Sequence, residues 1–210
     1  MINIENIDVN GWSAAIRGAR NPMNSWDKMD SEWDGYGEAD GYSVGDNDLK
    51  LLKNLAHAGP DHGKFLRMIT VTLDITAPLY WWKEFDTYKV GTVANSCSTM
   101  HKIHSKEFTL DDFSHEHLQG MSLEVLELLI KELNARRTEY NWCNTDSKKI
   151  YWWQMIQLLP TSYNQRRTIL LNYQVLKSMY HARRNHKLDE WHDFCSWVKT
   201  LPYSELITDE

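Results

Sequence analysis

The feature that most constrains the fold of this chain is a strict alternation of apolar and polar residues from Ile69 to Thr76. The apolar positions are separated by single polar ones, which gives a period of two and one apolar face; they are Ile69, Val71, Leu73 and Ile75. Pro78 follows and ends the segment, because proline cannot donate a hydrogen bond to a strand ladder. Any fold for this chain must therefore contain a half-buried strand here.

Elsewhere, apolar spacing of three and four residues predicts that helices dominate. We expect a short strand over residues 2–9, a small helix from Trp12 to Arg20, and a helix from Asp46 to Ala58 that Gly59-Pro60 stops. A further helix is capped by Ser122 and runs to Arg137, and its buried stripe consists of Leu123, Leu126, Ile130 and Leu133. A helix from Leu170 to His181 follows, and a final helix has Leu188, Trp191, Cys195 and Val198 on its apolar face. Helices with a few strands give an α+β fold.

The length of 210 residues, with 42% hydrophobic content, fits one domain with a substantial core, which we predict to span residues 1–210. Residues 21–48 are rich in Gly and Asp, and we predict a long mobile loop there. Within this loop, Asp30, Glu32 and Asp34 resemble the opening of a calcium loop, but Gly41 occupies the position that needs a bidentate Glu. We therefore predict an acidic turn.

Composition excludes several classes of protein. A net charge of −6 and a pI near 5.8 argue against a general nucleic-acid binder, which would show a basic face. The three cysteines, Cys97, Cys143 and Cys195, are far apart, as expected for reduced thiols. The N-terminal residues lack a signal-peptide pattern, and no apolar run is long enough to span a membrane. We therefore expect a cytoplasmic protein. We expect no metal site, because the histidine pairs His101–His104 and His115–His117 lack a third ligand.

The segment from Tyr80 to His101 carries the residues with the most chemistry. It begins with the aromatic run Tyr80-Trp81-Trp82, contains Lys83 and Lys89, and ends in a hydroxyl-rich stretch around Ser98. Flat apolar faces, cations and small polar groups make up the inventory of a nucleotide or flavin pocket. The alternative is that the aromatics belong to the core and the Ser/Thr run forms a turn.

The order of motifs around this segment resembles the flavin-dependent thymidylate synthases, whose signature is approximately Gln-x-x-Arg-His-Arg-x7-Ser. Tyr80 to Phe85 falls on the first part of that signature and Asn95 to Met100 on the region around its serine. Further matches cover roughly residues 55 to 200 in the family's order: Gly59-Pro60-Asp61-His62, Leu159-Pro160, Asn172, Arg183 and the series from His186 to Trp191.

This resemblance implies the thymidylate synthase-type fold, with helices around a small, mainly antiparallel sheet, and a homotetramer whose subunits share each site. It implies FAD as the cofactor, with methylenetetrahydrofolate and NADPH as further reactants in catalysis. It assigns Ser98 and Lys83 to orientation of the substrate. The residues it implies for cofactor binding are His62, Asn172, Arg183 and His186. We add Lys64 and Arg67 to this set, because they place positive charge where the family has a hydroxyl residue and a Glu.

The chain departs from the family at several positions that would contact ligand. Glu84 and Phe85 replace a His and an Arg, and Met100 replaces an Arg after the serine. Met155 and Ile156 lie where the family carries another phosphate-binding Arg before Leu159-Pro160. A thioether or an alkyl chain cannot replace bidentate guanidinium contacts.

The resemblance implies reductive one-carbon transfer to a pyrimidine nucleotide. The departures lead us to expect that the substrate is altered. The alternatives are a noncatalytic protein that sequesters or senses a nucleotide, and a structural oligomer whose pocket is filled by aromatics. We expect Arg166 and Arg167 to lie at a solvated helix start, and Arg183 to contact the ligand.

Overall fold

The computed structural model of the chain describes residues 2–37 and 41–209, except the side chains at 145 and 146. In chain order its elements are β1 (Asn3–Asn10), α1 (Trp12–Arg20), β2 (Glu32–Gly37), β3 (Gly41–Ser43), α2 (Asp46–His57), β4 (Thr70–Pro78), α3 (Leu79–Phe85), β5 (Val93–Ser96), α4 (Thr99–Lys102), α5 (Met121–Trp142), α6 (Thr145–Leu158), β6 (Asn164–Asn172), α7 (Tyr173–Arg183), α8 (Asp189–Val198) and α9 (Glu205–Thr208). Short 3₁₀ turns lie at Asn21–Met23, Trp26–Lys28, Gly63–Arg67 and Leu110–Asp112.

The main sheet has the strand order β1-β4-β6-β5. In β4 the side chains of Val71, Leu73 and Ile75 are buried and alternate with half-buried polar ones, as the sequence pattern predicts. Strand β1, helices α1, α2 and α8, and strand β4 occur where they were expected, within one or two residues. The α+β class with a small antiparallel sheet is confirmed.

The described chain divides into two compact units, and the prediction of one domain over residues 1–210 stays a prediction. The first unit contains residues 76–85 and 96–167. Its helices α5 and α6 pack against each other and against the loops before them. The core cluster there consists of Ile103, Phe108, Phe113, Leu126, Leu133 and Met155.

Helix α5 differs from its prediction at both ends. It begins at Met121 and not at a capping Ser122, because Gly120, with φ +53°, turns the chain into the helix. It then continues past Arg137 to Trp142. In the predicted buried stripe, Leu126 and Leu133 are buried, whereas Leu123 and Ile130 are half-buried. Helix α6 was not predicted.

The second unit contains residues 2–75, 86–95 and 168–209. Its core includes the apolar faces of α7 and α8, with Leu176, Met179, Trp191 and Phe194 fully buried. A buried ion pair also lies in this unit: Arg20 Nε donates to Asp48 Oδ1 at 2.6 Å. The second oxygen of Asp48 accepts from the amides of Asp30 and Ser31, and so fixes the chain that leads into β2.

The helix predicted from Leu170 is wrong at its start, because residues up to Asn172 belong to β6 and α7 begins at Tyr173. Arg166 and Arg167 therefore lie in a strand, and the predicted helix start is also wrong. The strand pattern was hidden because Leu170 is exposed while the polar side chain of Gln165 is buried. The hydrogen bonds that the Gln165 side chain forms offset the free-energy cost of burying it.

Residues 21–48 contain more regular structure than a loop. Strands β2 and β3 form an antiparallel hairpin in which Trp33 lies opposite Tyr42, and the residues between the strands lie outside the described residues. The predicted acidic turn agrees with the structure: Asp34 accepts from the amides of Tyr36 and Gly37. No helix within residues 2–37 and 41–209 has the length and apolar character that crossing a membrane requires.

Candidate functional site

The aromatic run after β4 packs into the core and does not offer stacking faces to a ligand. Trp81, Trp82 and Phe85 on α3 are at most 2% exposed. They form a cluster with ring centroids 4.9 to 5.2 Å apart. The alternative reading of this run as core is therefore correct for these three side chains. Lys83 lies between them in sequence and is exposed on the opposite face of the helix.

Ser98 lines a cleft of about 430 Å³ in the first unit, which we call the Ser98 cleft. Ser98 is the N-cap of α4, and its hydroxyl accepts a hydrogen bond from the amide of His101 at 3.1 Å. The preceding residue is tied to β6, since the Cys97 amide donates to the Arg166 carbonyl at 2.9 Å. These bonds fix the loop that presents Ser98.

Gln165 also fixes the loop that presents Ser98. This side chain is 8% exposed, and its Nε2 donates to the Cys97 carbonyl at 2.9 Å. Its Oε1 accepts from Arg167 Nε at 3.0 Å, and its backbone carbonyl accepts from the Trp82 indole. The guanidinium of Arg167 in turn lies 4.2 Å above the Trp82 ring. The buried Trp82 of α3 thus helps to fix Gln165, which lines the Ser98 cleft.

The Ser98 cleft carries charges of both signs. Lys102, Lys106 and Arg166 line it together with Asp111 and Asp112. Lys106 and Asp112 form an ion pair, which raises the pKa of Lys106. The three cations exceed the two carboxylates, so the cleft favours an anionic ligand that also presents hydrogen-bond donors.

Tyr163 supplies a neutral donor in the same cleft. Burial, and after it the nearby Asp112 carboxylate, raises the pKa of Tyr163 above its usual value. The phenol therefore stays protonated at neutral pH and can donate to a ligand oxygen.

A second cleft, of about 480 Å³, lies in the second unit, and we call it the Asn172 cleft. Asn172 ends β6 and caps α7, accepting from the Val175 amide at 3.0 Å. Two exposed cations, Arg67 and Lys89, line the same cleft. Two of the predicted cofactor residues, Arg67 and Asn172, therefore come together although they are distant in sequence.

The Asn172 cleft has a glycine in its wall for a steric reason. Gly91 has φ +83°, a backbone conformation that favours glycine. A Cβ at this position would lie 3.0 Å from Val175 Cγ2 and 3.2 Å from Asn172 Nδ2. The loop 87–91 thus approaches the start of α7 closely.

Arg183 is held against this loop by two aromatic rings. Its Nε donates to the phenol oxygen of Tyr88, which lines the Asn172 cleft, at 2.9 Å. Its guanidinium carbon lies 5.6 Å from the Tyr88 ring centroid and 5.0 Å from that of Trp191. The predicted contact residue is therefore half-buried and adjacent to the cleft.

The remaining predicted residues lie outside both clefts. His62 and Lys64 are exposed at the 3₁₀ turn Gly63–Arg67. His186 contributes a backbone carbonyl to His192 and accepts from the Leu188 amide, which shapes the turn before α8. Sequence reasoning missed Tyr88, Lys102, Lys106 and Tyr163 as lining residues. No motif marks them, although the positive charge of the two lysines was visible.

No protein-family model matches the chain, and no curated protein matches it in sequence. Its fold is similar to that of solved structures. One is thymidylate synthase X from Helicobacter pylori with FAD and dUMP: the TM-score is 0.70 at 15% identity, over 100% of this chain and 98% of that one. A second structure of the Helicobacter pylori enzyme, complexed with FAD and dUMP, gives a TM-score of 0.67 at 16% identity, over 98% of each chain.

A third similar structure is the UMP/dUMP methylase PolB from Streptomyces cacaoi, bound with 5-Br dUMP. The TM-score is 0.64 at 15% identity, over 100% of this chain and 95% of that one. The similarity in all three cases spans nearly the full length of both chains. The chain therefore has the fold of the flavin-dependent thymidylate synthases, as its motif order predicts.

Proposed function

We propose that this protein binds FAD and a pyrimidine nucleotide and catalyses reductive one-carbon transfer to a nucleotide other than deoxyuridylate. The observation that carries the proposal is the Asn172 cleft, which gathers Arg67 and Asn172 with Lys89 and borders on Arg183. Two of these four residues, Asn172 and Arg183, match positions of the family's motif order. Solved proteins of the same fold are complexed with FAD and with uridine nucleotides.

The residues of the Asn172 cleft fit a flavin nucleotide in their chemistry. Arg67 and Lys89 are exposed cations that would pair with a diphosphate. The carboxamide of Asn172 and the glycine loop at Gly91 offer hydrogen bonds and close backbone approach. Bound FAD, once reduced by NADPH, would supply the hydride for the reduction. Arg183, fixed by Tyr88, would hold the anionic part of a ligand in place.

In the Ser98 cleft the chain's own residues would bind and orient the nucleotide. Lys102 and Arg166 offer charge to a phosphate, and Tyr163 offers a neutral donor. Ser98 has a lone pair engaged by the His101 amide, so its hydroxyl hydrogen remains available to a ligand. The assignment of Lys83 to the substrate is a proposal that rests on the motif alone.

Two observations favour an altered substrate. Met155 is fully buried in the core of the first unit, so no cation replaces the arginine expected before Leu159-Pro160. Lys102 and Lys106 add positive charge from a different element. A phosphate bound by these lysines would lie elsewhere than one bound by the usual arginines, and the base would shift with it.

The second candidate is a noncatalytic protein that sequesters or senses a nucleotide on the same fold. The observation in its favour is that Phe85, which stands at an arginine position of the family signature, is buried in the core with Trp81 and Trp82. Such a protein would retain affinity for a nucleotide without turnover. The two candidates differ in whether methylenetetrahydrofolate and NADPH are consumed.

A homotetramer in the cytoplasm is part of this proposal. Helix α5 exposes Met121, Val125 and Leu128, which are spaced by four and three residues on one face. Exposed apolar stripes of this kind are typical of subunit contacts. Light scattering on wild type and on Leu128→Glu tests the assembly. If the wild-type protein is a monomer at micromolar concentration, the homotetramer is no longer part of the proposal.

Calorimetric titration with FAD and with a panel of pyrimidine nucleoside monophosphates tests the function. We expect FAD and at least one nucleotide to bind, and Arg183→Ala to cost about 1.5–3 kcal/mol of binding free energy, as for a hydrogen bond to a charged group. The matched control is Arg184→Ala, which removes the neighbouring exposed arginine. Equal affinity in Arg183→Ala and Arg184→Ala, or no binding by wild type, would contradict the proposal.

A further inference from the structure

The hairpin β2–β3, in the segment for which the sequence predicted only a loop, encloses a pocket with the start of α1. This pocket has a volume of about 300 Å³ and lies within the second unit. Its lining includes Ser13 and Arg17 from α1, Trp33 from β2 and Tyr42 from β3. None of these residues lines the Ser98 or the Asn172 cleft. We call it the Trp33 pocket.

Two aromatic side chains form one wall of the Trp33 pocket. Trp33 and Tyr42 are directly opposite each other in the hairpin register, so they project from the same face. Tyr42 is 9% exposed, whereas the indole of Trp33 is 70% exposed. An indole held at a fixed register position beside a cavity and left open to water offers a stacking surface for a flat ring.

Arg17 supplies a cation to the same pocket. It lies four residues after Ser13 on α1, which brings both side chains to one face of the helix. Across residues 2–37 and 41–209, no carboxylate forms an ion pair with Arg17. Its charge is therefore available to a ligand.

The absence of such a pair matters because the surrounding segment is rich in aspartate. Three of these carboxylates have other partners: Asp34 accepts from two amides and the Ser43 hydroxyl, Asp30 from the amides of Asn47 and Asp48, and Asp48 from Arg20. Within the part of the chain that the structure describes, these groups stabilise the turns of the segment and none of them pairs with Arg17.

The hydroxyl groups add neutral hydrogen bonding. Burial raises the pKa of Tyr42, and the nearby Ser13 hydroxyl opposes this rise only in part. The phenol consequently stays protonated at neutral pH. Either hydroxyl can form a hydrogen bond with an oxygen atom bound beside Arg17.

From this arrangement we propose that the Trp33 pocket binds a planar anion, an aromatic ring bearing a phosphate or a carboxylate, with the ring against Trp33 and the anionic group on Arg17. A guanidinium suits both anions through paired N–H donors, and the indole suits any flat ring. The pocket shares no lining residue with the Asn172 cleft or the Ser98 cleft.

The test uses two small probes that are not nucleotides, phenyl phosphate and 4-aminobenzoate, with phenol as the uncharged control. The protein carries isotope-labelled tryptophan, and the indole signal of Trp33 is identified by its loss in Trp33→Phe. We expect this signal to shift saturably with one or both anionic probes. Whichever anion binds more tightly identifies the source of the ligand as phosphate or carboxylate. Phenol should bind at least about tenfold more weakly.

Arg17→Gln should raise the dissociation constant by about tenfold or more, because it removes the charge and keeps most of the side chain. The matched control is Trp26→Ala, which removes another exposed indole of the same segment that does not line the pocket. Equal melting temperatures of the variants establish that the fold is intact. The proposal is overturned if neither anion shifts the Trp33 signal, if Arg17→Gln binds as wild type does, or if Trp26→Ala weakens binding as much as Arg17→Gln does.

Discussion

The Nε atom of Arg183 donates a hydrogen bond to the phenol oxygen of Tyr88 at 2.9 Å, and the guanidinium also lies over the Tyr88 ring. The guanidinium carbon also lies 5.0 Å from the centroid of the Trp191 ring. Arginine so held loses little side-chain entropy when it binds an anion. This contact links the last turn of α7 with the loop that lines the Asn172 cleft.

Tyr88→Phe should weaken binding of FAD or nucleotide although it removes a single oxygen atom. The ring keeps its contact with Arg183, but the hydrogen bond that orients the guanidinium is lost, at a cost of about 0.5–1.5 kcal/mol. Calorimetry on Tyr88→Phe, Arg183→Ala and the double variant measures the coupling. Strict additivity of the two losses would show that Tyr88 does not act through Arg183.

Cys97 and Cys195 should react with iodoacetamide at very different rates. Cys97 is exposed at the Ser98 cleft, whereas burial raises the pKa of Cys195 to about 11. At pH 8 only about one Cys195 thiol in a thousand is then ionised, and the thiolate is the reactive form. Mass spectrometry should find Cys97 alkylated first. A nucleotide that binds the Ser98 cleft should slow this reaction, and unchanged labelling of Cys97 at saturating nucleotide would place the ligand elsewhere.

Asp48→Asn should destabilise the protein by about 3–5 kcal/mol, because it leaves the buried guanidinium of Arg20 without its counter-ion. The control is Lys53→Gln, which breaks the exposed pair between Lys53 and Glu205 and should cost at most about 1 kcal/mol. Urea unfolding of both variants gives the comparison. Similar stabilities would mean that the Arg20–Asp48 pair contributes no more than a surface pair.

Deoxyuridylate should be a poor ligand, and thymidylate formation from it should be undetectable with reduced FAD and methylenetetrahydrofolate. Met100 and Met155 lack the charge of the arginines expected from the family pattern, and each lost charge-assisted contact costs about 1.5–3 kcal/mol. Thymidylate synthase X from Helicobacter pylori serves as the positive control. Robust thymidylate formation by this protein would mean that Lys102, Lys106 and Arg166 rebuild the phosphate site.

The sequence predicted the elements whose burial follows their polarity. Strand β4 is the clearest, because its buried and half-buried residues alternate as the apolar and polar ones do. Strand β6 was missed because Gln165 is buried by specific hydrogen bonds and Leu170 is exposed. Helix α6 was missed because its apolar residues surround the helix, with Met155 buried and Trp153 exposed.

The candidate site was predictable only where the motif order, or a charge beside a motif, marked a residue. Arg67, Asn172 and Ser98 line clefts, and Arg183 borders one. His62 and Lys64 carry the right chemistry but are exposed outside both clefts. Tyr88 and Tyr163 could not be assigned, because their roles arise from tertiary contacts between segments far apart in sequence.

The most direct test of the proposed function is the visible absorption spectrum of the purified protein after incubation with FAD and removal of unbound cofactor. We expect a band near ~450 nm, the signature of an oxidised isoalloxazine held as a protein cofactor, and we expect Arg183→Ala to reduce it while Arg184→Ala retains it. A colourless wild-type protein under these conditions would contradict the assignment of this fold to a flavoprotein.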